Sequence, residues 1–317
     1  MKIEILGTES LGVRSLSCFV ETGETRVLID PGVSLAPWRF GMRPHKRELA
    51  ASKAAREKIL ARAAQSDMLV ISHYHFDHCT PAVKRRFEWS DEERAAQLYQ
   101  SKLIYAKSAE SNINPSQRRR AYHLWKRSDC RLVPADGAQW KNVTFSPALP
   151  HGEENSPRGW VIATMIEEGD ERFVHASDIQ CLYEPAIESV LALRPTMLLV
   201  SGPPLYLAEL DPKLAQAGIE NVRTLVREVP TVILDHHILR TEEGLKQLAQ
   251  LRAEVAKVQH RLVCAAEFMG RSPLLLEAHR RELHEKEPED ALWYQRLWNG
   301  DRRMVAEVEA LVQEMGL

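Results

Sequence analysis

The sequence contains no run approaching ~18 consecutive apolar residues, so no membrane-spanning helix and no membrane partner are expected. It has no excess of either charge. Forty-two Lys and Arg stand against 44 Asp and Glu, for a formal charge of −2 and a pI near 6.7. Bulk charge therefore gives no reason to expect a nucleic-acid coat or a membrane-surface protein, while leaving room for a local basic patch. There is no cysteine framework either. Cys18, Cys79, Cys130, Cys181 and Cys264 are scattered, odd in number and without a Cys-x-x-Cys pair. That pattern excludes a disulfide scaffold or a zinc ribbon and points to reduced, buried thiols. Repeats of ~20–50 residues and low-complexity tracts are absent. Glu4 interrupts what would have to be the apolar stretch of a signal peptide, and a cytoplasmic chain is expected. What is present is an ordinary soluble composition, 44% apolar and 27% charged over 317 residues. The length gives only a weak prior of about two domains.

Short strands open the chain at Lys2–Leu6, Leu16–Glu21 and Arg26–Asp30, with Gly7, Gly12 and Gly23 at the turns between them. A charged, Ala-rich segment from about Lys46 to Ala64 reads as a helix. The apolar run Met68–Ser72 suits a buried strand. Residues ~84–128 are mostly helical in character, with one short strand at Leu103–Ala106. Strands follow at Arg131–Val133, Val143–Ser146, Trp160–Ile166 and Arg172–Ala176. The last portion alternates: strand Met197–Ser201, a helix to about Glu228, strand Thr231–Asp235, a helix over about Glu243–Val258, and strand Arg261–Ala265. Ile219, Val222, Leu225 and Val226 share one face of the helix before Thr231, as core residues should. Beyond about Glu287, Trp293, Tyr294 and Trp298 precede an amphipathic Met304–Met315 helix, together forming a C-terminal helical appendage packed on the main domain.

The chemistry gathers at strand ends. Ser72-His73-Tyr74-His75-Phe76-Asp77-His78 places four metal-competent side chains within six residues. In extended geometry His73, His75 and Asp77 point the same way, and a turn would bring His78 back. Imidazole and carboxylate donors suit zinc, iron or manganese. His151 alone would read as a loop histidine, and Asp178 alone as a helix N-cap for Ile179–Tyr183. Asp235-His236-His237 closes a strand of β-branched residues. The order of these features at successive strand ends is what binds them together.

That order, His73-x-His75-x-Asp77-His78, then His151, Asp178 and His236, resembles the five-motif signature of the metallo-β-lactamase superfamily. Leu28-Ile29-Asp30-Pro31-Gly32 matches the acidic turn before its histidine motif. Segments such as Glu9–Ser15, Ser201-Gly202-Pro203-Pro204 and Val174–Gln180 resemble a functionally uncharacterised branch of predicted metal-dependent hydrolases. The resemblance runs from Met1 to roughly Leu283 and finds no counterpart after about Glu287. It implies an α/β fold, an αββα sandwich of two mixed sheets with helices outside, over residues 1–287. It implies that His73, His75 and His151 hold one divalent ion and that Asp77, His78 and His236 hold another, most simply zinc, with manganese or iron as alternatives. Asp178 would bridge the two, and Asp30 would orient a ligand imidazole. His237 would stand beside the ligands, since neighbours on an extended segment face opposite ways and only one of the pair should reach the metals. Glu stands at the second histidine position in flavodiiron-type oxidoreductases. His75 stands here, which favours a hydrolytic site.

The implied activity is hydrolysis by a metal-bound hydroxide, with Asp77 orienting the nucleophile or carrying its proton, and with Ser72 and Cys79 as bystanders. Alternatives are an ester, lactone or thioester hydrolase, a mononuclear iron dioxygenase, and a non-enzymatic binding protein. The complete ligand set argues against the last. Arg118–Arg127 carries five positive charges after Pro115. Arg118 and Arg119 are candidate phosphate-binding residues, and Tyr122 or Trp125 could stack on a base. The opposing reading is a solvated helix. A small-molecule or phosphoester substrate is expected, and a nucleic acid stays open. Residues ~84–128 are expected to form a helical insert outside the sheets, covering the cleft.

Overall fold

Val27-Leu28-Ile29 and Met68-Leu69-Val70-Ile71 are uninterrupted apolar runs, the pattern of strands covered on both faces. A computed structural model, which describes residues 1–128, 130–255, 260–290 and 292–317, places them at the centre of a six-stranded sheet. Its elements are β1 (Lys2–Gly7), β2 (Ser17–Glu21), β3 (Arg26–Ile29), α1 (Lys46–Gln65), β4 (Met68–Ile71), α2 (Glu92–Tyr99), β5 (Leu103–Ala106), α3 (Pro115–Ser128) and β6 (Arg131–Pro134). The strands lie in chain order, antiparallel from β1 to β3 and parallel from β3 to β6.

The second half is built the same way. It comprises β7 (Gln139–Trp140), β8 (Val143–Phe145), a small ribbon of β9 (Leu149–Pro150) and β10 (Trp160–Val161), β11 (Thr164–Glu168), β12 (Glu171–His175), α4 (Glu184–Ala192), β13 (Met197–Ser201), α5 (Pro212–Glu228), β14 (Thr231–Asp235), α6 (Glu242–Val255) and β15 (Arg261–Val263). The sheet order is β15-β14-β13-β12-β11-β8-β7, parallel from β12 to β15. Helices α7 (Ala265–Phe268), α8 (Arg280–Lys286), α9 (Trp293–Trp298) and α10 (Arg302–Glu314) complete the chain. Residues 256–258 of the expected Glu243–Val258 helix lie outside the described residues.

Alternation along each strand divides the core into layers. Val27, Ile29, Met68 and Val70 from the first sheet meet Phe173, Leu199 and Ile233 from the second between the sheets. Leu28, Leu69 and Ile71 face outward under α1, α2 and α3. Leu198, Val200, Val232 and Leu234 face outward under α5 and α6. The result is the expected αββα sandwich. At about 1.5–3 kcal/mol per buried Val, Leu or Ile, these three clusters hold the two sheets in register.

Two expectations about domain organisation change. The segment ~84–128 is not an insert outside the sheets, because β5 pairs with β4 on one side and β6 on the other. Each parallel pairing needs a crossover of a dozen or more residues, and α2 and α3 supply the two crossovers. The C-terminal helices do pack on the main body, but they complete its core instead of adding to it. Trp293, Tyr294, Leu297, Val308 and Leu311 belong to the same apolar cluster as Leu28, Leu49 and Leu69. Among the described residues no helix is long and apolar enough to cross a membrane, and all five cysteines are buried.

Candidate metal centre

In open α/β sheets, ligands gather beyond the carboxyl ends of the strands, and the candidate residues sit there. Asp30 follows β3, the histidine motif follows β4, His151 follows β9, Asp178 lies three residues past β12, and His236 follows β14. The motif loop departs from the expected extended geometry. His78 and Cys79 both donate their backbone N–H to the His75 carbonyl, at 3.0 and 2.8 Å. This turn divides the motif between two groups of donors, one of His73 and His75 with His151 and Asp178, the other of Asp77 and His78 with His236. Gly32 lets the chain pass close beneath the turn, since a Cβ there would overlap the backbone of His78 and Cys79.

Asp178 is the hub. Its Oδ2 lies 3.1 Å from His237 Nε2, 3.2 Å from both His78 Nε2 and His151 Nε2, and 3.8 Å from His73 Nε2. Its Oδ1 lies 3.4 Å from His236 Nε2. No helix starts at Asp178, and α4 begins at Glu184, so the N-cap reading does not apply. One carboxylate cannot satisfy five imidazoles. His78 Nε2, both ring nitrogens of His151 and Asp178 Oδ1 are buried without a hydrogen-bond partner. Buried polar groups in that condition are costly, and nitrogen lone pairs converging with carboxylate oxygens fit a divalent cation. The residues present therefore suit the metal that the histidine pattern implies.

The electrostatics agree. Burial pulls the His78 imidazolium down, but Asp178, Asp30 and Asp77 outweigh it and hold its pKa well above the ordinary histidine value. His236 is likewise pulled down by burial and pushed back up, to about 9, by Glu9 and Asp178. Burial opposes ionisation of Asp178 too, yet His78, His236 and His237 hold it well below the carboxylate range. His75 is depressed to about 3 by burial and by His151. The carboxylates thus draw positive charge into the centre of the site.

Around the donors runs an orienting network. Asp30 Oδ2 accepts from His78 Nδ1 at 2.8 Å, and its Oδ1 accepts from the Ser72 backbone N–H at 2.7 Å. Ser72 Oγ lies 2.6 Å from Asp30 Oδ2, 3.0 Å from His73 Nδ1 and 2.7 Å from Ser177 Oγ. Ser72 is therefore no bystander, since it links the acidic turn to His73. Cys79 is one: its thiol is buried and pushed up to about 12 by that burial, which leaves no thiolate to react.

His237 does not face away from the site. His236 adopts φ +58° and the chain from His236 to Arg240 forms a 3₁₀ turn, so the alternation of an extended segment is lost and both rings reach Asp178. His237 Nδ1 meets the Tyr206 hydroxyl at 3.2 Å. Three residues were missed by the sequence reading. Glu9 accepts from His236 Nδ1 at 2.6 Å and from Arg240 Nε at 2.6 Å, and Arg240 Nη1 donates to Tyr206 Oη at 2.8 Å. A Gly-Thr-Glu sequence leaving an N-terminal strand was the signal available for Glu9.

The two candidate substrate arginines are elsewhere. Arg118 is exposed and donates to the carbonyls of Ala109 and Glu110, and Arg119 is exposed. Arg120 is the residue that reaches the motif loop. It donates to the Tyr74 carbonyl at 3.1 Å and lies 4.3 Å from the centre of the Phe76 ring, which Arg85 also approaches at 4.5 Å. Tyr122 and Trp125 are half-exposed and 5.9 Å apart.

Two mixed sheets flanked by helices, with a histidine and aspartate cluster at one edge, define a metallo-β-lactamase fold. A family model described as beta-lactamase superfamily domain matches residues 25–202, more than half of the chain, and the chain belongs to that superfamily. Within it, the chain is 41% identical over 301 residues to a UPF0282 protein of Methanosarcina mazei, covering 95% of this chain and 97% of that one. A UPF0282 protein of Thermococcus gammatolerans is 41% identical over 295 residues, covering 90% of this chain and 96% of the other. The first alignment leaves at most a twentieth of the chain unmatched, so it extends past Glu287 into the C-terminal helices, where no counterpart was expected. Among solved structures, a possible metal-dependent hydrolase from Veillonella parvula superposes with a TM-score of 0.51 at 13% identity, covering 79% of this chain and 94% of that one. That likeness supports the fold.

Proposed function

We propose that this protein is a metal-dependent hydrolase with a dinuclear centre, acting on an anionic ester, in the first place a phosphoester or phosphodiester. The observation that carries the reading is the convergence on Asp178 of five imidazoles, those of His73 and His151 from one donor group, His78 and His236 from the other, and His237 beside them. His73, His75 and His151 would hold one divalent ion and Asp77, His78 and His236 the other, with Asp178 between them. Zinc is the first choice for this donor set, with manganese and iron as alternatives. Such ions lower the pKa of water toward about 7 and stabilise charge developing on the substrate.

The remaining steps belong to the chain. Asp30 and Ser72 fix the tautomers of His78 and His73, and Glu9 fixes that of His236. Asp77, the most accessible carboxylate of the cluster, is placed to orient the attacking water and accept its proton. Arg120 has no carboxylate within ion-pair distance among the described residues. Its charge at the edge of the motif loop suits an anionic group of the substrate. The buried cysteines Cys18, Cys79, Cys181 and Cys264, free of disulfides, suit a reducing compartment such as the cytoplasm. The test is a panel of phosphodiesters, phosphomonoesters, lactones, carboxylic esters and thioesters, run with zinc- and manganese-reconstituted protein and with metal content measured. Hydrolysis of anionic esters that depends on added metal is the expected result. Turnover confined to neutral lactones or thioesters would refute the substrate class. One iron per chain with oxygen consumption would refute the hydrolase itself.

A further inference from the structure

The two donor groups have unequal surroundings. In the second, a guanidinium stands among the donors: Arg240 Nη2 lies 3.2 Å from His236 Nε2 and 3.6 Å from Asp77 Oδ2. No arginine or lysine among the described residues hydrogen-bonds the imidazoles of His73, His75 or His151. Arg240 is also firmly held. Its side chain is buried, Nε donates to Glu9, Nη1 donates to Tyr206 Oη, and the guanidinium lies 5.3 Å from the Tyr206 ring centre. The 3₁₀ turn delivers it, since Arg240 follows His236 by four residues.

We infer that Arg240 is a resident cation of the second donor group, competing with a divalent ion for His236 and Asp77, so that the two groups fill in sequence and the second fills weakly. The inference rests on the metal-centre reading above. Glu9 accepts from His236 Nδ1, which turns Nε2 toward Arg240 and Asp77. Arg240 Nη2 and a divalent ion cannot both stand at Nε2. A divalent ion entering the group must break the Arg240–His236 contact and accept a like charge close by in a buried site, where screening is weak. Glu9 offsets part of that charge, because it contacts both residues. Removing Arg240 should therefore strengthen the second site, and removing the charge of Glu9 should weaken it.

The test is a titration of metal-free protein with Zn²⁺ against a chromophoric chelator, with melting temperature followed in parallel. Wild type should bind one ion tightly and a second at least tenfold more weakly. In Arg240→Met the second step should tighten at least tenfold (about 1.4 kcal/mol), with the first step unchanged within threefold. Arg240→Lys should keep the weak step, and Glu9→Gln should weaken it further. Should Arg240→Met unfold, Tyr206→Phe, which removes the Nη1 anchor and the hydroxyl contact to His237 Nδ1 but keeps the ring, must by itself tighten the second step. Two equal tight sites in wild type would overturn the inference. So would a second step indifferent to Arg240→Met or, where that variant unfolds, to Tyr206→Phe. A protein that binds no Zn²⁺ loses the metal centre and this inference together. Sequential binding in a protein that hydrolyses nothing keeps the inference and removes only the hydrolase.

Discussion

Asp30→Asn tests whether the acidic turn controls the metal centre through the histidine tautomers. The Asp30 carboxylate accepts on both oxygens, from the Ser72 N–H on one side and from His78 Nδ1 and Ser72 Oγ on the other. An asparagine can keep only one of these edges. If its carbonyl stays with the Ser72 N–H, its amide nitrogen faces His78 Nδ1, which must then accept. The ring proton moves to Nε2, the atom 3.2 Å from Asp178, and the lone pair needed for a metal is lost. If the amide turns over, it meets the Ser72 N–H donor to donor and strands a buried group at a cost of about 1–3 kcal/mol. Loss of an orienting partner of this kind typically costs about 10–100-fold in metal affinity. The step assigned to Asp77, His78 and His236 should weaken by about that factor, and the metal-free protein should melt a few degrees lower. Chelator competition and a thermal melt measure the two effects. A variant that binds both ions within twofold of wild type and melts at the same temperature would refute the tautomer argument.

Other expectations follow from charges near the site. Burial raises the pKa of Glu277, but Arg14, at 2.5 and 2.6 Å, outweighs it and holds the carboxyl down to about 2 from an ordinary 4.5. Its stabilising contribution, about 3 kcal/mol, is present above pH 4.5 and lost as pH falls through 2. Glu277→Gln should therefore trail wild type by about 2 kcal/mol less at pH 3 than at pH 7, as read by denaturant unfolding, and an unchanged gap counts against it. Glu48→Gln should cost about 3–5 kcal/mol, because it leaves the Arg280 guanidinium buried without the carboxylate it meets at 2.6–3.0 Å. Arg280 also holds the Ala36 and Met42 carbonyls, so increased proteolysis of the 36–42 loop should accompany the lower melting temperature. Arg120→Met should raise the KM for an anionic ester about tenfold or more, the loss expected for a charge-assisted hydrogen bond. Charge reversal at Arg118 and Arg119 should move it less than threefold, and equal effects at all three positions would reject the assignment.

The architecture was legible because its strands are apolar on both faces. Leu69 and Ile71 face one layer while Met68 and Val70 face the other, and nothing but a doubly covered strand asks for that pattern. The strand at Leu103–Ala106 was equally visible, but its partners were not. A strand inside a long helical stretch pairs only if the flanking segments can cross the sheet, and the lengths of α2 and α3 with their loops were sufficient for that. Pairing lives in long-range contacts that the local pattern does not carry. The same holds for Glu9 and Arg240, which meet across 231 residues of chain.

Two local errors about the site concern backbone period, misapplied in one case and left unused in the other. At His236 and His237 the period of two failed because a residue with φ +58° starts a 3₁₀ turn. A non-glycine residue in that region is uncommon, and no residue type in Leu-Asp-His-His announced it. At Arg118–Arg120 the correct period was available. Gln117, Ala121, Leu124 and Ser128 form the buried face of α3 at spacings of four, three and four. Arg120 lies three residues after Gln117 and next to Ala121, on one flank of that face; Arg118, next to Gln117 and three residues before Ala121, lies on the other flank, and Arg119 falls opposite it. Gln117 itself takes the Tyr74 N–H and donates to the Arg158 carbonyl, which binds the same face to the motif loop. The phase of the helix therefore sets Arg119 aside and leaves Arg118 and Arg120 on opposite flanks, of which only the Arg120 flank meets the motif loop. Weighing the run by its total charge lost a distinction that its helical period had preserved.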